Sequence, residues 1–269
     1  MELQALNDLE KFFHANQGGQ IHKLRNYFEV YERHFGRYRG TDVHVVEIGV
    51  AHGGSLHMWK DYFGPESHIY GVDIQEAARS LAFEGAEIIV GDQGDPEFLE
   101  TLARQVPRID ILIDDGGHSM WQQENTFRIM FPHVASDGVY LCEDLHTSYW
   151  VDFGGGYRRP GTFIELTKTL IDELNAWHSH SPDLTVSHFS RSAHSLHFYE
   201  SMIVIEKRPI EQPEDLVTGH ETIQWTSPPT KGPMNSKDRP VSLARRVAWR
   251  IPGARRLVRS LQGGRRTNY

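Results

Sequence analysis

Residues 109 to 144 read IDILIDDGGHSMWQQENTFRIMFPHVASDGVYLCED, and this stretch decides the fold. Two short apolar runs, Ile111-Leu112-Ile113 and Val139-Tyr140-Leu141-Cys142, each end in an acidic pair, Asp114-Asp115 and Glu143-Asp144. About one helix's length lies between them, and Ser119 stands where that helix would begin. The pattern predicts a β-α-β unit whose strand tips carry carboxylates.

Working outward, the same alternation recurs. Val43 to Ile48 reads as a strand, followed by the turn Glu47-Ile48-Gly49-Val50-Ala51-His52-Gly53-Gly54-Ser55 and a helix from Leu56 to Phe63. His68 to Val72 ends at Asp73, and Ala86 to Val90 ends at Gly91-Asp92-Gln93, with Asp95-Pro96 starting a further helix as N-cap and first-turn proline. Alternating strands and helices over 43–145 predict an α/β, doubly wound, mostly parallel sheet. Ser195 to Tyr199 and Met202 to Glu206 read as a hairpin that adds two strands, completing a Rossmann-like seven-stranded sheet of the class I methyltransferase type with helices on both faces. A helix is expected from Phe163 to about Trp177, and a mobile loop from His146 past the glycines at 154–156. Helices at 4–17 and 20–36, the second with Ile21, Leu24, Tyr27, Phe28, Tyr31 and Phe35 at helical spacing, predict an N-terminal helical cap. The expected organisation is a cap at 1–40, a catalytic domain at 41–206, a Pro-rich linker at 207–240 and a basic amphipathic tail at 241–269.

Composition narrows the function classes. The chain has 269 residues, a hydrophobic fraction of 39% and a formal charge of -8, which suits one substantial globular core. Residues 237–269 hold ten Lys/Arg and one acidic residue, leaving a balance of -17 in residues 1–236. An acidic body repels phosphates, so nucleic acid is not an expected partner. The basic tail suggests peripheral contact with an anionic membrane, and its bland alternative is docking on the acidic body. A lone cysteine, Cys142, allows no internal disulfide and no cysteine-built metal centre. With no signal-like N-terminus and no long apolar window, a cytoplasmic, at most membrane-peripheral, protein is expected.

The strand tips carry the chemistry. Glu47-x-Gly49-x-x-x-Gly53 lacks the dinucleotide spacing and better fits the first loop of S-adenosylmethionine (SAM) enzymes, with Ser55 closing the turn. Asp73 at the next tip is suited to accept both ribose hydroxyls, and Asp92-Gln93 to meet the adenine amino group. Any one of these residues is as readily explained as a strand terminator or helix cap; three tips in register are not. The two acidic pairs would repel one another, so something positive should lie between them; an oxygen-rich set suits Mg2+, and the alternative is that some of these acids cap the following segments or pair with Arg or Lys. His118, across two glycines from Asp115, reaches the same pocket and is the candidate base. His146, His178, His180 and His197 have no comparable setting and read as surface or packing residues. Tyr149 and Trp150, with His146 beside them, are the candidate acceptor wall.

His22-Lys23 with Tyr31-Glu32-Arg33-His34, Glu47-Ile48-Gly49-Val50 with Gly53-Gly54-Ser55, Gly71-Val72-Asp73, Gly91-Asp92-Gln93, Asp114-Asp115-Gly116-Gly117-His118 and Glu143-Asp144-Leu145-His146 together carry a resemblance. Over residues 20–206 the chain resembles the metal-dependent macrolide sugar O-methyltransferases of the mycinamicin and macrocin type, and more loosely proteins labelled cephalosporin hydroxylase. The resemblance implies that Asp115, Glu143 and Asp144 bind Mg2+, that His118 is the general base, and that Asp73 and Asp92-Gln93 hold SAM; the first turn adds Glu47, Gly49, Gly53 and Ser55 to the candidate cofactor wall, and Asp114 faces either the cofactor or the helix that follows. It implies a glycosylated small molecule as acceptor and a homo-oligomer, while the basic tail, outside the resemblance, suggests a lipid-linked acceptor. Gly117 stands where serine is common and Leu24 where an aromatic is common. Methylation of a catechol or vicinal diol, or a SAM-binding accessory role beside an oxygenase, are the alternatives.

Overall fold

The computed structural model describes residues 6–223 of the chain. Its elements run α1 (Asp8–Ala15), α2 (Tyr27–Phe35), β1 (His44–Ile48), α3 (Gly54–Phe63), β2 (His68–Asp73), β3 (Ala86–Val90), α4 (Pro96–Gln105), β4 (Ile109–Asp114), α5 (Met120–Met130), β5 (Val134–Cys142), α6 (Phe163–Leu174), α7 (His188–Ser192), β6 (Ala193–Tyr199) and β7 (Met202–Lys207). The strands form one seven-stranded sheet in the order β3-β2-β1-β4-β5-β7-β6. Strands β1 to β5 are parallel, while β7 runs antiparallel to β5 and pairs with β6 as the expected hairpin. Strand order reverses between β1 and β4, so the connections after them diverge and leave a crevice at their C-terminal ends.

Alternation along each strand divides the interior into two layers. Val45, Ile69, Ile111, Ile113, Val139, Leu141 and Val204 pack with Leu9 of α1, Phe28 and Phe35 of α2 and Trp59 of α3. Val46, Ile48, Val72, Leu112, Tyr140, Cys142 and Ile205 pack with Leu99 of α4, Phe127 of α5 and Phe163 of α6. Both faces of the sheet are therefore covered, as continuous apolar runs in parallel strands require. Helix starts follow local chemistry: Asp95 caps α4 by accepting from Glu97 N at 2.9 Å, and Pro96 occupies the first turn.

The N-terminal cap departs from expectation. Residues 16–26 are not helical. Asn16 donates to Gly19 O at 2.8 Å and accepts from Gly18 N at 3.0 Å, turning the chain into an irregular strap. The strap crosses the start of α3 at backbone contact, where a Cβ on Gly54 would lie 2.2 Å from Gly19 O. The region after β5 is built from two short 3-10 turns, Leu145–Tyr149 and Val151–Phe153, tied by Gly155 N to Trp150 O at 2.8 Å and Gly156 N to Ser148 O at 2.8 Å.

The compact unit ends at Glu214, and residues 208–223 contain neither helix nor strand. The expected tail helix and the linker beyond residue 223 lie outside the described residues. Among the described residues no helix is long and apolar enough to cross a membrane.

Candidate active site

A cavity of about 520 Å³ opens at the C-terminal ends of β1 to β4. Its walls include Gly49 and Ser55 after β1, Asp73 after β2, Asp92 and Gln93 after β3, Asp115 and His118 after β4, and Asp144 after β5. Gln20, Ile21, His22 and Lys23 of the strap close the remaining side.

On the donor side, Asp73 accepts from Ala51 N at 3.1 Å, Val50 N at 3.3 Å and Gln75 N at 2.9 Å. These bonds fix its carboxylate at the rim and leave one acceptor site, on Oδ1, for a ligand's hydroxyl. Gly49 permits the approach of the β1 and β4 tips: its φ is +90°, and a Cβ there would lie 2.1 Å from Asp115 O. Asp92 accepts from Gly94 N at 2.7 Å and faces the cavity. Gln93 is a clamp, accepting from Gly117 N at 2.9 Å while its amide donates to Asp114 and to Thr126 Oγ1 at 3.0 Å.

Three residues expected on the cofactor wall lie elsewhere. Asp114 is fully buried and points to the α5 layer, the same side as Leu112, because alternation sends it there. Burial pushes its pKa to about 7. Glu47 is fully buried behind the wall, accepting from Ser55 Oγ at 2.7 Å, and burial raises its pKa. Gly53, with φ +74°, caps α3 against Leu81 and does not line the cavity.

The acidic pairs do converge, and a lysine lies between them. Lys23, its side chain only 2% exposed, donates to Asp115 Oδ2 and to both oxygens of Glu143 at 3.0 Å, and stands 3.6 Å from Glu47. Burial works against the ammonium, but Asp115, Glu143 and Glu47 outweigh it and hold its pKa well above the ordinary lysine value. Tyr31 donates to Glu143 Oε1 at 2.6 Å, so the expected ligand Glu143 is engaged by two donors from the N-terminal segment. Burial and Asp115 raise the Glu143 carboxyl against the pull of Lys23 and Tyr31. Nothing local in the sequence singles out Lys23, although repelling acidic pairs call for a positive charge and His22-Lys23 lies within the family-like motif.

The outer half of the cluster is different. His118 Nε2 stands 3.8 Å from Asp115 Oδ1 and 3.5 Å from Asp144 Oδ2, and ligand atoms of these three residues lie within 4.8 Å of one another. Tyr27 donates to Asp144 Oδ1 at 2.7 Å and leaves Oδ2 toward the cavity. His118 and Asp144 both have φ +55°, a left-handed conformation that costs a non-glycine residue energy and that surrounding contacts must hold. Thr147 does this for both, donating to His118 O at 3.0 Å and Asp144 O at 2.8 Å. Two carboxylate oxygens beside an imidazole nitrogen fit a hard divalent cation with a base next to it.

Of the candidate acceptor wall, His146 and Tyr149 line a second cavity of about 470 Å³ together with Leu24, Ile164 and Phe198. Trp150 is outside that lining and packs edge-on against His146 at 4.6 Å.

Residues 46–145 match the family described as Methyltransferase domain. The chain is 36% identical over 213 residues to the mycinamicin VI 2''-O-methyltransferase of Micromonospora griseorubida, covering 75% of this chain and 52% of that protein. It is 36% identical over 216 residues to the demethylmacrocin O-methyltransferase of Streptomyces fradiae, covering 75% and 53%. Among solved structures, the MycE methyltransferase from the mycinamycin biosynthetic pathway in complex with Mg and SAH superposes with a TM-score of 0.69 at 36% identity, over 76% of this chain and 55% of that one. The chain thus spans about half the length of the curated relatives it matches.

Proposed function

We propose, from the premise that this chain belongs to the family of these sugar O-methyltransferases, that it transfers a methyl group from SAM to a hydroxyl of a sugar carried by a natural product or glycolipid. A deoxyhexose is the favoured sugar, because a relative from Streptomyces olivaceus, 38% identical over 196 residues, is named for a rhamnosyl acceptor. The observation that carries the reading is the approach of Asp115 Oδ1, His118 Nε2 and Asp144 Oδ2 at the mouth of a cavity whose other end presents Asp73 and Asp92.

Asp73 would hold a ribose hydroxyl and Asp92 the adenine edge of SAM. Asp115 and Asp144 would hold Mg2+, and Glu143, bound by Lys23 and Tyr31, would support them from inside. Mg2+, when bound, supplies positive charge that lowers the pKa of an acceptor hydroxyl and holds neighbouring sugar oxygens. His118 takes the hydroxyl proton on Nε2 as the oxygen–carbon bond forms and the carbon–sulfur bond of SAM breaks. Thr147 holds the backbone of the two strained residues, and Tyr27 holds the Asp144 carboxylate. His146 and Tyr149 would flank the acceptor.

The test uses labelled SAM, Mg2+ and a panel of deoxyhexosyl glycosides that includes mycinamicin VI. Labelled methyl ether should form on a glycoside and stop in EDTA. His118→Ala should lower turnover about 10²- to 10⁴-fold while SAH binding stays within a few-fold of wild type. Turnover that survives this substitution unchanged removes His118 as base; no incorporation into any glycoside removes the proposed reaction.

A further inference from the structure

We infer a second metal site, separate from the carboxylate cluster, in which His34, His197 and Glu206 bind a borderline transition-metal ion such as Zn2+. Strands β6 and β7 pair with Ser195 opposite Glu206 and His197 opposite Val204, so Ser195, His197, Tyr199 and Glu206 project from one face of the hairpin. Helix α2 lies on that face and brings His34 to it. His34 Nδ1 stands 2.8 Å from Glu206 Oε1, the His34 and His197 rings are 4.7 Å apart, and one ligand atom from each of the three residues falls within 4.8 Å of the others.

Two imidazoles and one carboxylate are the donor set that Zn2+ takes with a fourth position left to water, and imidazole nitrogen favours such ions over Mg2+. Both rings are already oriented by hydroxyls: Tyr199 OH lies 2.9 Å from His34 Nε2, and Ser195 Oγ lies 2.9 Å from His197 Nε2. An outer partner on the far nitrogen is what fixes tautomer and direction in metal-bound histidines. Glu206 and His197 remain partly exposed, giving an ion a way in. The bound ion would tie α2 to the hairpin, and α2 carries the Tyr27 and Tyr31 hydroxyls that hold Asp144 and Glu143.

The experiment titrates the full chain with Zn2+ by calorimetry in excess Mg2+, compares wild type with His118→Ala to subtract any Zn2+ taken by the carboxylate cluster, and repeats the titration with Co2+ to read its visible absorption bands. One saturable equivalent is expected, with the Co2+ bands of a low-coordinate nitrogen and oxygen site. His197→Ala and Glu206→Gln should each weaken it by about 100-fold or more, and Tyr199→Phe, which keeps every ligand, by about 10-fold. His118→Ala should leave it unchanged. Tyr199→Phe decides the matter should His197→Ala fail to fold. Absence of saturable Zn2+ binding, indifference to His197→Ala, Glu206→Gln and Tyr199→Phe, or loss of binding in His118→Ala would each overturn the site.

Discussion

Lys23 brings one positive charge into contact with three carboxylates at the inner wall of the cavity, its own side chain only 2% exposed. An ammonium so placed has surrendered its hydration, and removing it leaves acids without a counterion, which is costlier than never having built the pair. Lys23→Met should therefore destabilise the metal-free protein by about 3–5 kcal/mol. Mg2+ can partly replace the missing charge, so the rise in Tm on adding Mg2+ should be larger in the variant than in wild type; equal shifts would mean that Lys23 does not share a field with the proposed Mg2+ ligands. The crowding of the two acidic pairs called in the sequence for a positive charge, read there as Mg2+ with pairing to Arg or Lys as the alternative, and at Asp115 and Glu143 the charge is Lys23. Its identity was not legible, because no local pattern says which of many lysines a distant cluster will draw inward. Asp114 is the opposite case: of the two placements its position allows, the cofactor or the helix that follows, strand alternation beside Leu112 turns it away from Asp115 and toward α5.

The strap at 16–26 shows the same limit for an element. Ile21, Leu24, Tyr27, Phe28, Tyr31 and Phe35 have helical spacing, yet only Tyr27–Phe35 folds as helix. Gly18-Gly19 weakens helix locally, and the contacts of Lys23 with Asp115 and Glu143, 92 and 120 residues away, reward a path that periodicity cannot register. Gly54 is the seat of that path. A Cβ there would stand 2.2 Å from Gly19 O and 2.7 Å from Gln20 O, both backbone atoms that cannot step aside. Gly54→Ala should lift the strap, weakening SAH binding at least about 10-fold and costing roughly 1–3 kcal/mol by overpacking. Gly36→Ala is the matched control: the added carbon meets only side-chain oxygens at 3.5 and 3.6 Å and φ is -54°, so stability should hold or rise slightly. Equal losses of SAH affinity in both variants would rule out a specific role for the strap in forming the pocket.

Across the whole molecule, the sheet and its two layers were readable because parallel strands flanked by helices leave apolar runs with polar tips, and the 195–206 hairpin signalled the antiparallel addition. What closes the far end of that addition was not readable. Lys207, the last residue of β7, turns its ammonium under the α5–β5 connection, donating to Phe131 O at 3.0 Å, Pro132 O at 3.4 Å and Val134 O at 2.5 Å, with the Phe131 ring centre 4.8 Å away. Carbonyls at a helix end lack intrahelical donors, so this one side chain satisfies a junction between the antiparallel and parallel parts of the sheet. Lys207→Met should destabilise the protein by about 1–3 kcal/mol at pH 7, since the carbonyls lose their donor. Burial pushes the Lys207 pKa down to about 8 from the ordinary 10.5. Below pH 8 both folded and unfolded chains keep the proton, and this group adds no pH dependence. Between about 8 and 10.5 the unfolded chain retains it while the folded chain has released it, so the unfolded state binds more protons and stability from this group rises with pH. Urea denaturation of wild type and Lys207→Met at pH 7, 9 and 10 should show the gap in unfolding free energy widening in favour of wild type. A gap that stays flat would mean that the three carbonyls hold the ammonium charged despite its burial, and that the junction is sealed by an ion rather than by an amine.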